Sequence, residues 1–268
     1  SINESTTAEM DINDPFFLIK ELMKEFYSLE LDHDFNYKND VENDIEFIFG
    51  PPGTGKTTEI AKQINQGKNR DKKILLLAPT NKAADVLCRK IISIADSDYA
   101  NWLIRFGNTG VIDDEINAIV KNRESNIEDL ESFVVISTIA RLPYDGFSND
   151  KLNEIEWDEV YFDEASMIHL SYVAYAMKKL KSNKLYFAGD PNQITPIMQY
   201  RDWQRLNIYE MFELSDFDDP ITKPKTFPVE ILNTQYRSIK DIGDLFSHYA
   251  YSGKVESKKE ILVVSQFT

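Results

Sequence analysis

Residues 45–58 read IEFIFGPPGTGKTT, a short apolar run that breaks into a glycine-rich loop ending in Lys56, Thr57 and Thr58. Gly50, Gly55, Lys56 and Thr57 satisfy the spacing GxxxxGK followed by Ser or Thr. A loop whose backbone N–H groups turn inward around a polyphosphate needs glycine, because side chains would block the approach and some positions need φ/ψ values closed to other residues. A helix starting where the loop ends adds its positive N-terminal end. Lys56 is thereby placed to reach the β- and γ-phosphates and the Thr57 hydroxyl to sit on Mg²⁺. Pro51, Pro52, Gly53, Thr54 and Thr58 complete the expected cradle. Chance agreement at four fixed positions is on the order of one per cent for a chain of this size. The flanks agree too: Ile45, Phe47, Ile48 and Phe49 read as a buried parallel strand, and 57–66 as a helix closed by Gly67.

The 268 residues can form one large α/β domain or two small ones. No apolar run is long enough to cross a bilayer and no basic-then-apolar leader opens the chain, so a soluble protein of the cytoplasm or nucleus with no membrane partner is expected. The single cysteine, Cys88, leaves no internal disulfide or cysteine-based metal cluster, and His33, His169 and His248 are too scattered to suggest a zinc site. The net charge of −15 is mostly an N-terminal property, since residues 1–50 carry 13 acidic and 3 basic side chains. That distribution weakens a nucleic-acid reading without excluding it.

Within the acidic segment 1–44, apolar residues from Phe16 to Tyr27 recur at helical spacing behind Asp14, which predicts a packing helix. Strands are expected at 73–78 (KILLLA), 133–138 (FVVIST), 160–163, 184–190 (KLYFAGD) and 229–232, with helices from about Lys82 and over 168–180. Residues 96–132, mixed and acidic with a helical pattern at 112–120, read as a small insertion. Strand and helix alternate as in a doubly wound, mainly parallel α/β sheet with helices on both faces. The expected division is 1–44, an ATPase domain at 45–228, and 229–268 as the end of that domain or the start of a second.

Three further stretches carry chemistry. Asp163-Glu164 ends an apolar strand, where one acid can hold Mg²⁺ and its neighbour can take a proton from the attacking water; alone, such a pair is more often a solvated strand end. Gly189-Asp190-Pro191-Asn192-Gln193 also ends a strand, and Gln193 can report whether a terminal phosphate is present, although the same residues also compose an ordinary turn. Arg237 in Gln235-Tyr236-Arg237 can supply positive charge to developing phosphate oxygens, or be a surface arginine.

In order, GPPGTGKT at 50–57, LLLAPTNKAADVL at 75–87, VVIST at 134–138, VYFDEAS at 160–166, YFAGDPNQITPI at 186–197 and LNTQYRS at 232–238 resemble the motifs of superfamily 1 helicases, most closely the Upf-like group. The resemblance runs over about 45–255 and implies a RecA-like P-loop core that hydrolyses ATP with Mg²⁺ and moves along single-stranded DNA or RNA. It implies Lys56 and Thr57 as phosphate and Mg²⁺ ligands, Asp163 as the Mg²⁺ acid and Glu164 as catalytic base. It also implies Gln193 as γ-phosphate sensor and Arg237 as an arginine facing the nucleotide. Pro79, Thr80, Asn81, Ser137 and Thr138 match positions that touch the nucleic-acid backbone. No segment resembles the second-domain motifs, and no adenine-reading glutamine motif is recognisable in 31–44. The chain alone is therefore expected to bind nucleotide but hydrolyse it weakly, its second RecA-like domain being supplied in cis or by another chain. Two rival readings are a stand-alone P-loop ATPase switch and a nucleotide-dependent interaction module.

Minor signals have plainer readings. Lys178, Lys179, Lys181 and Lys184 suit a solvated helix end better than a phosphate track, Trp203 with Arg201 and Arg205 suits helix packing better than base stacking, and Asp113-Asp114-Glu115 simply starts a helix.

Overall fold

The computed structural model describes residues 45–66, 71–107, 114–121, 133–143, 151–196, 207–222 and 225–259. The expected helix at 16–27, the 31–44 segment, Gly67, and Trp203 with its two arginines lie outside the described residues. Among the described residues, no helix is long and apolar enough to cross a membrane.

Eight strands, all paired in parallel, form one sheet: β1 (Ile45–Phe49), β2 (Ile74–Ala78), β3 (Leu103–Phe106), β4 (Val120–Lys121), β5 (Val134–Thr138), β6 (Glu156–Phe162), β7 (Lys181–Gly189) and β8 (Val229–Ile231). Their order is β4-β3-β5-β2-β6-β7-β1-β8. The α/β reading holds. β2 is buried continuously and β1 and β5 at all but one position each, which is why they read as largely apolar runs. β9 (Thr234–Ile239) and β10 (Glu256–Lys259) pair in parallel as a separate ribbon, joined by the helix Lys240–Ala250.

Two helices cross one face of the sheet, α1 (Lys56–Asn65) after β1 and α2 (Asn81–Ile92) after β2. Ile60 and Ile64 of α1 and Leu87, Cys88 and Ile91 of α2 close over Ile48, Leu76 and Ile136 of the strands, all fully buried. Each such aliphatic side chain contributes about 1.5–3 kcal/mol. Other core positions are aromatic: Phe47, Phe187 and Phe162 lie side by side on three adjacent strands, and Phe47 also packs against Tyr209, Phe212 and Phe227. A third helix, α3 (Leu170–Lys179), connects β6 to β7, and the helix after β9 is α4.

The stretch read as an insertion departs from expectation. Leu103–Phe106 is a sheet strand paired to β5, Val120–Lys121 adds a further edge, and only Asp114–Asn117 is helical in the 112–120 pattern. Arg105 hid the strand. It lies in a four-residue run, yet it is wholly buried, its Nε donating to Asp85 Oδ1 at 2.9 Å and its Nη1 to the Phe106 carbonyl at 2.9 Å. The charge is tolerated because α2 supplies the matching carboxylate. β6 and β7 begin earlier than expected, at Glu156 and Lys181; in β6 the added acidic residues are satisfied locally, Asp158 accepting from Lys73 N and Glu159 pairing with Lys72.

Removing one partner of a buried ion pair strands the other charge and costs about 3–5 kcal/mol. Arg105→Ala and Asp85→Ala are each expected to lose that much in urea unfolding, while the double variant loses clearly less than their sum. Full additivity would show that the pair does not stabilise the chain as a unit.

Candidate functional site

Parallel pairing brings the carboxyl ends of β1, β7 and β6 into a row. Phe49 is level with Gly189, and Phe187 with Phe162, so the loop after β1, Gln193 after β7 and Asp163-Glu164 after β6 converge. Gly50 N donates to the Gly189 carbonyl at 3.1 Å, extending the ladder into the loop itself. Lys56, Thr57, Glu164, Gln193, Tyr236 and Arg237 line one cleft of about 730 Å³, within the range of small-molecule sites.

The loop has the form its glycines predict. Gly53 and Gly55 have φ of +80° and +95°, and a Cβ on Gly53 would sit 2.5 Å from Arg237 Cβ. Pro51 and Thr54 are buried, and Thr54 Oγ1 donates to the Pro51 carbonyl at 2.8 Å, closing the turn. Pro52 and Thr58 line the cleft beside Thr57. Lys56 is buried and its Nζ donates to the Gly50 carbonyl at 2.8 Å, curled over its own loop.

The two helix starts differ in a telling way. At α2, Thr80 Oγ1 accepts from Ala83 N at 3.1 Å, an ordinary side-chain cap. At α1 the N-cap is Gly55, which offers no side chain, so the first-turn N–H groups open into the cleft. That uncapped end, the lysine beside it and the adjoining carboxylates suit a phosphate chain and its divalent cation.

Asp163 is buried, and its Oδ1 accepts from Glu164 N at 3.0 Å. Burial, reinforced by the charge of Glu164 and opposed by Lys56, pushes its carboxyl from 3.8 up to about 7. Glu164 sits in the left-handed region at φ 49°, ψ 44°. A non-glycine residue there is strained, a condition that clusters at functional sites. Its Oε2 is buried without a hydrogen-bond partner. An orphaned carboxylate oxygen beside a buried acid fits a site meant for a water and a cation. Gln193 Nε2 donates to Asp190 Oδ2 at 3.3 Å. Arg237 is exposed, on a strand tied to the loop by Tyr236 N donating to the Gly53 carbonyl at 3.0 Å.

A second group gathers at the ends of β2 and β5. Thr80 and Asn81 are exposed, and Pro79 and Thr138 half-buried. Ser137 is fully buried and its hydroxyl donates to the Phe106 carbonyl at 3.1 Å, because β3 lies alongside. Arg105 is the residue the sequence hid. Its Nη2 donates to Asn81 Oδ1 at 2.9 Å, which turns the Asn81 amide nitrogen away from the arginine.

A family model described as an AAA domain matches residues 36–199. The chain is 26% identical over 274 residues to DNA polymerase alpha-associated DNA helicase A of Saccharomyces cerevisiae, covering 80% of this chain and 39% of that protein. It is 34% identical over 167 residues to the putative helicase mov-10-B.2 of Danio rerio, covering 57% of this chain and 16% of that one. The solved complex of Arterivirus nonstructural protein 10 (helicase) with DNA shares the fold at a TM-score of 0.51 and 14% identity, covering 82% of this chain and 43% of that chain. The chain thus spans less than half the length of the relatives it matches.

The raised Asp163 carboxyl has a consequence for stability with a definite sign. Between about pH 4 and 7 the folded, ligand-free chain keeps a proton that the unfolded chain has released. The associated stability is complete below that window and lost as pH rises through about 7, amounting to on the order of a few kcal/mol. Thermal melts without nucleotide or Mg²⁺ should show wild type losing more stability than Asp163→Asn between pH 5 and pH 8. Equal losses would contradict this account.

Proposed function

Because this chain belongs to the AAA-domain family, we propose that it is the ATP-binding and ATP-hydrolysing first RecA-like domain of a superfamily 1 nucleic-acid helicase or translocase of the cell interior. The observation that carries the reading is the convergence of Lys56, Thr57, Asp163, Glu164 and Gln193 at three adjacent strand ends around an uncapped helix start.

In this reading the α1 N–H groups and the Gly50–Thr58 backbone hold the phosphates, and Lys56 leaves the Gly50 carbonyl to neutralise them. Thr57 and Asp163 would hold Mg²⁺, which would supply charge neutralisation to the phosphates when bound. Glu164, with one buried oxygen lacking a partner, orients the attacking water and accepts its proton. Gln193 reads the terminal phosphate, and Arg237 stabilises charge developing on it. Relief of the Asp163 proton by a cation accords with a carboxyl poised near neutrality in the ligand-free chain.

Single-stranded DNA or RNA then lies across Pro79, Thr80, Asn81 and Thr138. Asn81 presents its amide N–H groups to a phosphate because Arg105 occupies its oxygen. The separate β9–α4–β10 ribbon is the end of the first RecA-like domain or the opening of a second.

Lys56→Ala is expected to abolish nucleotide binding in a fluorescence titration, and Glu164→Gln to keep binding while lowering turnover at least 100-fold. In the parent protein, single-stranded DNA or RNA should raise ATP hydrolysis severalfold, and Glu164→Gln should remove the stimulation. Turnover indifferent to both polymers would instead indicate a nucleotide switch without translocation.

A further inference from the structure

Asp190 stands at the centre of a buried junction that the motifs do not explain. It is fully buried, and Oδ1 accepts from Asn192 N at 3.0 Å. Oδ2 receives two donors: Gln193 Nε2 at 3.3 Å and the Tyr251 hydroxyl at 2.7 Å. Tyr251 belongs to a different part of the chain, immediately after α4, and is itself only 3% exposed. Its ring is wedged edge-on against Phe217 and Phe246, each with centroids 5.7 Å away. A second contact reinforces the junction, Asn192 Nδ2 donating to the Ala250 carbonyl at 3.4 Å.

The two donors to Oδ2 are unequal. The tyrosine bond is short and charge-assisted, whereas the glutamine bond is long. To reach a terminal phosphate, Gln193 must release Asp190. A buried carboxylate oxygen left bare opposes that release, because losing its donor costs the full desolvation penalty. Burial and the nearby Asp190 charge keep the Tyr251 hydroxyl protonated, so it always has a proton to give.

We infer that Tyr251 is a positioning residue for Gln193: its hydroxyl satisfies Asp190 Oδ2, so that the glutamine amide can leave for the phosphate. The inference rests on the proposed reading of Gln193 as sensor. It also assigns a direction to the coupling. Because Tyr251 follows α4, displacement of that helix withdraws the proton and draws the glutamine back to Asp190, so the segment after the Gln235-Tyr236-Arg237 strand sets whether a triphosphate is recognised.

The test compares Mg²⁺-bound, ribose-labelled ADP with a non-hydrolysable ATP analogue, titrated into this chain as wild type, Tyr251→Phe, Gln193→Ala and the double variant. Tyr251→Phe retains the wedged ring. It is expected to weaken the ATP analogue about tenfold, the effect of losing one hydrogen bond to a charged group, with ADP affinity within about twofold of wild type. In the Gln193→Ala background it should add nothing further. Asp190→Asn, which weakens the acceptor that competes for the glutamine, should bind the ATP analogue at least as tightly as wild type with ADP unchanged; a selective loss there would overturn the inference, and this variant decides the matter if Tyr251→Phe does not fold. For Tyr251→Phe, equal weakening of both nucleotides, no change in either, or a full additive loss on top of Gln193→Ala would overturn the inference. Lys56→Ala separates the two levels: if it binds nucleotide like wild type, the nucleotide reading itself fails and takes this inference with it.

Discussion

The hydrogen bond from Gly50 N to the Gly189 carbonyl is the constraint on which the site depends. It carries the β1–β7 ladder one step past the last paired residues, so the first residue of the phosphate loop is fixed to the strand that delivers Gln193. With β7 lying between β1 and β6, the glutamine necessarily emerges between the loop and Asp163-Glu164. In a parallel sheet every chain leaves from the same edge. Three short loops therefore meet without any of them needing a long or specialised path.

Around that meeting point the structure treats charge in two contrasting ways. Arg105 and Asp85 are buried and matched, with Asn81 accepting a further arginine N–H. Asp163 and Glu164 are adjacent carboxylates in a low-dielectric setting, one carrying a raised pKa and the other an oxygen without a partner. The first arrangement balances its charge within the fold, and in the second Lys56 only partly offsets the negative charge. The same division separates the helix starts, where Thr80 closes α2 and Gly55 leaves α1 open.

Most of the fold was legible because β1, β2 and β5 are buried at nearly every position and so appear as largely apolar runs. The phosphate loop was legible because its backbone conformation admits few sequences, Gly53 and Gly55 lying at positive φ. β3 escaped detection because Arg105 reads as a surface residue, and its partner lies 20 positions away on another element. The burial of Ser137 was hidden with it, since its hydroxyl donates to the β3 carbonyl of Phe106. The polar start of β6 was missed because pairs such as Lys72–Glu159 are tertiary facts. Tyr251 could not be tied to Asp190 by pattern, since 61 residues separate them.

The aromatic rows across β6, β7 and β1 have a mechanical meaning. Phe162 stacks on Phe187 with centroids 4.7 Å apart, Phe187 on Phe47 at 5.5 Å, and Tyr161 on Tyr186 at 4.2 Å. Rings locked side by side on neighbouring strands resist shear between those strands, since sliding one would eclipse or part every stacked pair. The ends of β6, β7 and β1 are thereby held level with one another by their own side chains, before any loop contact is made.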